Sequence, residues 1–272
     1  MNSSTIEIPD QIGFLGAGRM ALALAQGIVR NHPQIRFVIS DPSESSRQRF
    51  LDAIPQTDLA DRNELVMQGP EVVLLATKPQ QLATVFDGWE PVDRVLLISI
   101  LAGSTIDRLR RTSGQSRIVR VMPNTPCLIG RGVLAWSPSV DVSDQQAALA
   151  VALLKGAGRV VRIDESLMDA VTGVSGSGPA YVYRMIEAMT TGGIEQGLDP
   201  ELAQTLAVET LIGAAEMVRQ TGLSPADLRQ QVTSPGGTTL AGLRQLDEFH
   251  FDQALRHAIA AATERAQELA NA

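Results

Sequence analysis

The chain has 272 residues, of which 44% are hydrophobic and 19% charged, with a formal net charge of -7. That acidic balance offers no basic face for phosphate neutralisation, which excludes a nucleic-acid partner. No run approaches the roughly eighteen apolar residues of a membrane span, and the single cysteine, Cys127, cannot form an internal disulfide. The opening stretch Met1 to Asp10 lacks a basic end followed by an apolar core, so the expectation is a cytoplasmic protein. The length suits two unequal domains.

In chain order, Ile12 to Leu15 reads as a short buried strand running into Gly16-Ala17-Gly18-Arg19-Met20-Ala21, after which Leu22, Leu24, Ile28 and Val29 continue with helical spacing. This is a GxGxxG/A fingerprint with Ala21 in the third place. Gly16 makes the tight turn, Gly18 lets a pyrophosphate approach the backbone, and a small third residue lets helix and strand pack closely. The next strand, Ile35 to Ser40, ends at Asp41, which lies 23 residues past Gly18 (41 minus 18). An acidic residue at that distance suits the ribose hydroxyls of NADH, whereas Arg47 nearby could neutralise the extra phosphate of NADPH, so both coenzymes stay open.

Further apolar runs at Glu71 to Ala76, Val95 to Ile100, Ile118 to Met122, Val133 to Trp136 and Arg159 to Ile163 alternate with helical or loop segments such as Asp141 to Lys155. The pattern predicts an α/β fold, a Rossmann-type doubly wound sheet covered on both faces. Ligands in such sheets lie beyond the carboxyl ends of the strands, which singles out Thr77-Lys78-Pro79, Leu101-Ala102-Gly103 and Pro123-Asn124-Thr125-Pro126. Lys78 could reach a ribose or phosphate oxygen or simply be solvated. Asn124 suits either an orienting role or a turn, and Asn63 alone is a helix-cap candidate.

After Ile163 strand character stops and helical spacing takes over. The sequence therefore divides into a dinucleotide-binding domain, 1–163, and an all-helical domain, 164–272. Pro179 stands at the first turn of a helix over Ala180 to Thr191, and the small residues of Val174-Ser175-Gly176-Ser177-Gly178 allow close approach of a backbone or a ligand. Asp199 caps a helix that reaches Gly222. Its large residues Leu202, Leu206, Val208, Leu211, Ile212, Met217 and Val218 surround nearly the whole circumference. So short a domain cannot wrap that helix alone, and partner helices from a second subunit are expected. Ser224 opens a capped helix that leads into Thr233-Ser234-Pro235-Gly236-Gly237-Thr238-Thr239. There a proline and two glycines break the chain, and Thr238 or Thr239 is expected to cap the next apolar run, Leu240, Leu243 and Leu246. Backbone amides at such a helix start favour an anion, so this bend is a candidate carboxylate site. A last helix from Asp252 carries Leu255, Ile259, Ala262, Ala266 and Leu269 on one stripe. His32, His250 and His257 have no partner spacing, and no cysteine pair or HExxH pattern occurs, so no metal site is expected.

Several runs stand in one family's order: FLGAGRMALAL at the start, ATKP at Ala76 to Pro79, RVMPNTP at Arg120 to Pro126, DAVTGVSGSGPAY at Asp169 to Tyr181, and TSPGGTT from Thr233. Together they resemble pyrroline-5-carboxylate reductase over nearly the whole chain. The resemblance implies reduction of the small molecule 1-pyrroline-5-carboxylate to L-proline by NADPH or NADH. It implies a substrate carboxylate held by Ser234, Gly236, Gly237, Thr238 and Thr239, with Thr239 as the catalytic residue bonding the ring nitrogen and Glu165 among the substrate contacts. Cofactor contacts carry over to Leu15, Gly16, Ala17, Gly18, Arg19, Met20, Asn63, Ala76, Thr77, Lys78, Pro79 and Ala102, beside Asp41 from the reading of the strand end. A homodimer through the helical domain is implied, with rings of dimers as a larger form. Gln231 departs from the asparagine common just before the family's Ser-Pro-Gly-Gly loop.

Two other readings compete. A β-hydroxyacid dehydrogenase has a similar fingerprint but relies on a lysine in its helical domain, and no lysine follows Lys155 here. A nucleotide-sensing binding protein could keep the fold without the chemistry.

Overall fold

The structure is a computed structural model that describes residues 6–271. Residues 1–5, part of the stretch read above for a leader, lie outside the described residues. Eight described strands, β1 (Gln11–Leu15), β2 (Arg36–Ser40), β3 (Thr57–Leu59), β4 (Val72–Leu75), β5 (Leu96–Ser99), β6 (Ile118–Met122), β7 (Gly132–Pro138) and β8 (Gly158–Arg162), form one sheet. Their order is β3-β2-β1-β4-β5-β6-β7-β8. The doubly wound expectation holds: the chain builds outward from β1 to β3, then crosses back to place β4 on the other side of β1. All neighbours are parallel except β6 and β7. That pair is antiparallel because the connection over 123–131 is too short for a crossover, which takes a dozen or more residues.

Strand side chains alternate between two cores. Ile12, Phe14, Val72, Leu74, Leu96 and Ile98 face one, shared with Ala21, Leu24 and Ile28 of α1 (Arg19–Asn31) and Leu153 of α6 (Asp144–Leu154). Leu15, Val73, Leu75 and Leu97 face the other, shared with Val66 of α3 (Asn63–Gln68), Leu82 of α4 (Leu82–Val85) and Leu109 of α5 (Ile106–Ser113). Phe14, Phe37 and Phe50, the last from α2 (Glu44–Ala53), pack edge to face with centroids 5.6 to 6.2 Å apart. Such pairs add about 0.5–1.5 kcal/mol each beyond area burial.

Past β8 come a 3-10 turn, Glu165–Leu167, then α7 (Met168–Val171) and one π turn, Thr172–Gly176. The helices that follow are α8 (Gly178–Glu195), α9 (Pro200–Thr221), α10 (Pro225–Gln231), α11 (Thr238–Glu248) and α12 (Phe251–Asn271). Compactness divides the chain between Gly176 and Ser177, with Ser177–Ala260 as the second unit and the chain from Ala261 returning to the first. The last strand ends earlier, at Arg162, and the segment between belongs to the first unit, where an added Cβ at Gly176 would lie 2.6 Å from the Met122 side chain.

Capping residues fall largely where the sequence put them. Asp199 accepts from the Glu201 and Leu202 amides, and Ser224 accepts from the Asp227 amide at 3.1 Å. Ser143 caps α6 through the Gln146 amide, so that helix begins at Asp144, inside the Asp141 to Lys155 segment. α11 is a correction: Gly237 is its N-cap, no side chain caps it, and Thr238 is already helical. A glycine can take the extended cap conformation and leave the first amides bare.

Candidate active site

β1, β2 and β4 end level, since Leu15 is in register with Ser40 on one side and Leu75 on the other. Just beyond lie the Gly16–Gly18 turn, Asp41 and Ala76–Lys78, at the point where the strand order reverses, the usual place for a ligand in such sheets. Gly16 has φ +97°, and a Cβ there would stand 2.7 Å from the Ala76 carbonyl oxygen, so only glycine fits. A Cβ on Gly18 would meet nothing within 4 Å, so the surface above it is open.

An open cavity of about 950 Å³ adjoins this turn and includes Gly18, Asp41, Asn63, Ala76, Thr77 and Lys78 among its walls. Its size lies at the top of the range of about 300–1,000 Å³ for small-molecule sites. The other residues carried over for the cofactor are not in that wall. Leu15 and Ala17 are buried and could act only through backbone, Arg19 is exposed at the start of α1, and Met20, Pro79 and Ala102 are half-buried. Asp41 accepts from the Ala17 amide through Oδ2 and from the Ser43 amide through Oδ1, both at 2.7 Å. Asn63 does not cap α3. Arg62 is the N-cap, and Asn63 Nδ2 donates to the Val85 carbonyl at 3.1 Å. Thr77 Oγ1 is buried without a hydrogen-bond partner. A turn that only glycine can make, open backbone at a helix start and an orphaned hydroxyl beside it together fit a dinucleotide. Arg62, Gln81, Thr84 and Asp87 also line the cavity. Sequence reading missed them because three-residue β3 and the four-residue α4 carry no periodic signal.

The second candidate element is the bend before α11. Gly236 has φ +73°, and a Cβ on Gly237 would lie 2.5 Å from the Ser234 Oγ, which would have to rotate, and 3.2 Å from the Ser234 carbonyl oxygen. Ser234, Gly236, Thr238 and Thr239 are exposed. The bend thus presents first-turn amides and hydroxyls without a side-chain cap, an arrangement that holds a carboxylate.

Glu165 belongs to the first unit. Its Oε1 accepts from the Ile106 amide, the first of α5, at 2.7 Å and from Arg120 Nη1 at 3.0 Å. Arg120 is 4% exposed and also lies 3.7 Å from Asp169. Asn124 is structural here: its Oδ1 accepts from the Val133 amide at 2.9 Å and its Nδ2 donates to the Ser175 carbonyl at 3.1 Å. Burial pushes the Cys127 thiol above its ordinary range, which keeps it protonated and unsuited to nucleophilic chemistry.

Residues 165–269 match the family model for pyrroline-5-carboxylate reductase dimerisation, and residues 11–103 that for NADP oxidoreductase, coenzyme F420-dependent. The pyrroline-5-carboxylate reductase of Synechocystis sp. is 40% identical over 95% of this chain and 98% of its own length. That of Arabidopsis thaliana is 37% identical over 95% of each chain. The crystal structure of Plasmodium falciparum pyrroline carboxylate reductase with NADP bound has a TM-score of 0.87 and 31% identity, covering 98% of this chain and all of that one.

Proposed function

The chain belongs to the pyrroline-5-carboxylate reductase family, and on that premise we propose that it reduces 1-pyrroline-5-carboxylate to L-proline, the last step of proline synthesis. The coenzyme, NADPH or NADH, supplies the hydride when bound. The residues that would hold it are the Gly16–Gly18 turn, Asp41, Asn63 and the Ala76–Pro79 segment.

The observation that carries the substrate side is the uncapped start of α11. Its first-turn amides, reached over Gly236 and Gly237, take the substrate carboxylate, aided by the positive end of the helix dipole. The Thr239 hydroxyl bonds the ring nitrogen and stabilises its charge as the imine becomes an amine. A protonated imine accepts hydride readily, so positioning rather than proton transfer is the main task of these side chains. Glu165 remains a proposed substrate contact, with Arg120 and the Ile106 amide both engaging its Oε1.

The exposed apolar residues Leu202, Leu206, Ile212 and Met217 of α9 support a homodimer, with rings of dimers as a larger assembly. The lone cysteine supports a reducing, cytoplasmic setting.

Thr239→Ala is expected to lower kcat by about one to two orders of magnitude, the loss of one active-site hydrogen bond, while coenzyme affinity holds. The assay is imine-dependent loss of nicotinamide absorbance. An unchanged rate removes Thr239 from the mechanism, and coenzyme binding without any turnover favours a sensor.

A further inference from the structure

Either coenzyme could serve the chemistry proposed above; the adenosine end of the cleft separates them. β2 ends at Ser40, and Asp41 follows between the Gly-rich turn and the start of α2. Its carboxylate is pinned at both oxygens, by the Ala17 amide on Oδ2 and the Ser43 amide on Oδ1, each at 2.7 Å. Ala17 belongs to the turn that Gly16 locks, and Ser43 is the N-cap residue of α2. The carboxylate therefore cannot swing away from an incoming anion without stripping two amides of their acceptor.

A phosphate on the ribose 2′-oxygen would need a cation there, and Arg47 is the one at hand. Its Nη1 donates to the Asp41 carbonyl at 2.7 Å, which ties the guanidinium to the very residue whose carboxylate repels the phosphate. The rest of the cleft adds no positive surplus. Its walls carry four carboxylates, Asp41, Asp61, Glu64 and Asp87, against three cations, Arg47, Arg62 and Lys78. A free 2′-hydroxyl, by contrast, can donate to a fixed carboxylate oxygen.

We infer that this chain takes NADH in preference to NADPH, with Asp41 as the residue that sets the choice. The inference rests on the dinucleotide role of the cleft but not on the substrate.

Titration calorimetry of the wild-type protein with NADH and NADPH, and with the half-ligands 5′-AMP and adenosine 2′,5′-bisphosphate, tests it. The member of each pair with a free 2′-hydroxyl should bind about tenfold more tightly or better, as like-charge juxtaposition demands. Equal or tighter binding of the phosphorylated members overturns the inference. In Asp41→Ser the affinity ratio should move toward NADPH by about tenfold or more. An unchanged ratio in a folded variant, checked by circular dichroism, also overturns it. If that variant does not fold, the wild-type comparisons decide alone. Failure of both coenzymes to be oxidised by pyrroline-5-carboxylate, with the binding preference intact, strikes the reductase assignment and leaves the preference supported.

Discussion

At the scale of single residues, the least legible feature was Arg120. In the sequence it is one letter of a strand, yet it is buried and paired with Glu165 at 3.0 Å. A buried guanidinium left without its partner is strongly destabilising, by about 3–5 kcal/mol for a fully enclosed pair. With Glu165 still 30% exposed and Asp169 left 3.7 Å from Arg120 as a second carboxylate, about 1–3 kcal/mol is the fitting expectation for Glu165→Ala in urea unfolding. A loss below about 1 kcal/mol, the range of surface pairs, would show that Asp169 alone satisfies Arg120. Periodicity marks a position as inward-facing but cannot say which distant carboxylate meets it, so the Arg120 to Glu165 pair needed the fold. Asp41 was more readable, because its place at the end of β2 follows from spacing. What the spacing could not show is that the Ala17 and Ser43 amides pin its carboxylate.

At the scale of elements, the proposed coenzyme turn and the proposed substrate bend use one device, a glycine turn that bares the start of a helix. Such turns are readable because glycine and proline constrain the backbone locally. The cap of α11 was misread for a related reason: threonine is a good N-cap by propensity, but after the left-handed Gly236 the extended Gly237 is the N-cap, and the chain enters the helix one residue sooner. Gly237→Ala should displace the Ser234 hydroxyl and crowd the Ser234 carbonyl at 3.2 Å. An overpacked site of this kind costs about 1–3 kcal/mol, so KM for pyrroline-5-carboxylate should rise roughly tenfold or more while coenzyme affinity stays put. A normal KM would mean that the bend is not the substrate anchor. Gly16→Ala should do the reverse, weakening coenzyme binding, because its Cβ would press on the Ala76 carbonyl at 2.7 Å. Calorimetry with NADH reads this directly, and wild-type affinity would contradict the role given to the turn. β3 and α4 were invisible in sequence because three or four residues complete neither a pleat nor a second helical turn.

At the scale of the whole molecule, the α/β class and the helical second half were legible from where β-branched runs stop. The all-round apolar pattern of α9 also said more than its own chain can satisfy: only Ala203 and Ala207 of that helix are buried, while Ile212 is 57% exposed. The match to a dimerisation model accounts for that surface. Leu206→Glu with Ile212→Glu should therefore shift the protein to a smaller or unfolded species in light scattering, and an unaltered mass would free α9 from the interface. The central claim, a carboxylate held by bare amides at the start of α11, is tested most directly by a crystal structure with L-proline and coenzyme bound. We expect the carboxylate oxygens about 2.7–3.2 Å from those amides, with the reacting ring carbon about 3–3.5 Å from the nicotinamide. Proline anchored by any other part of the protein would contradict the claim.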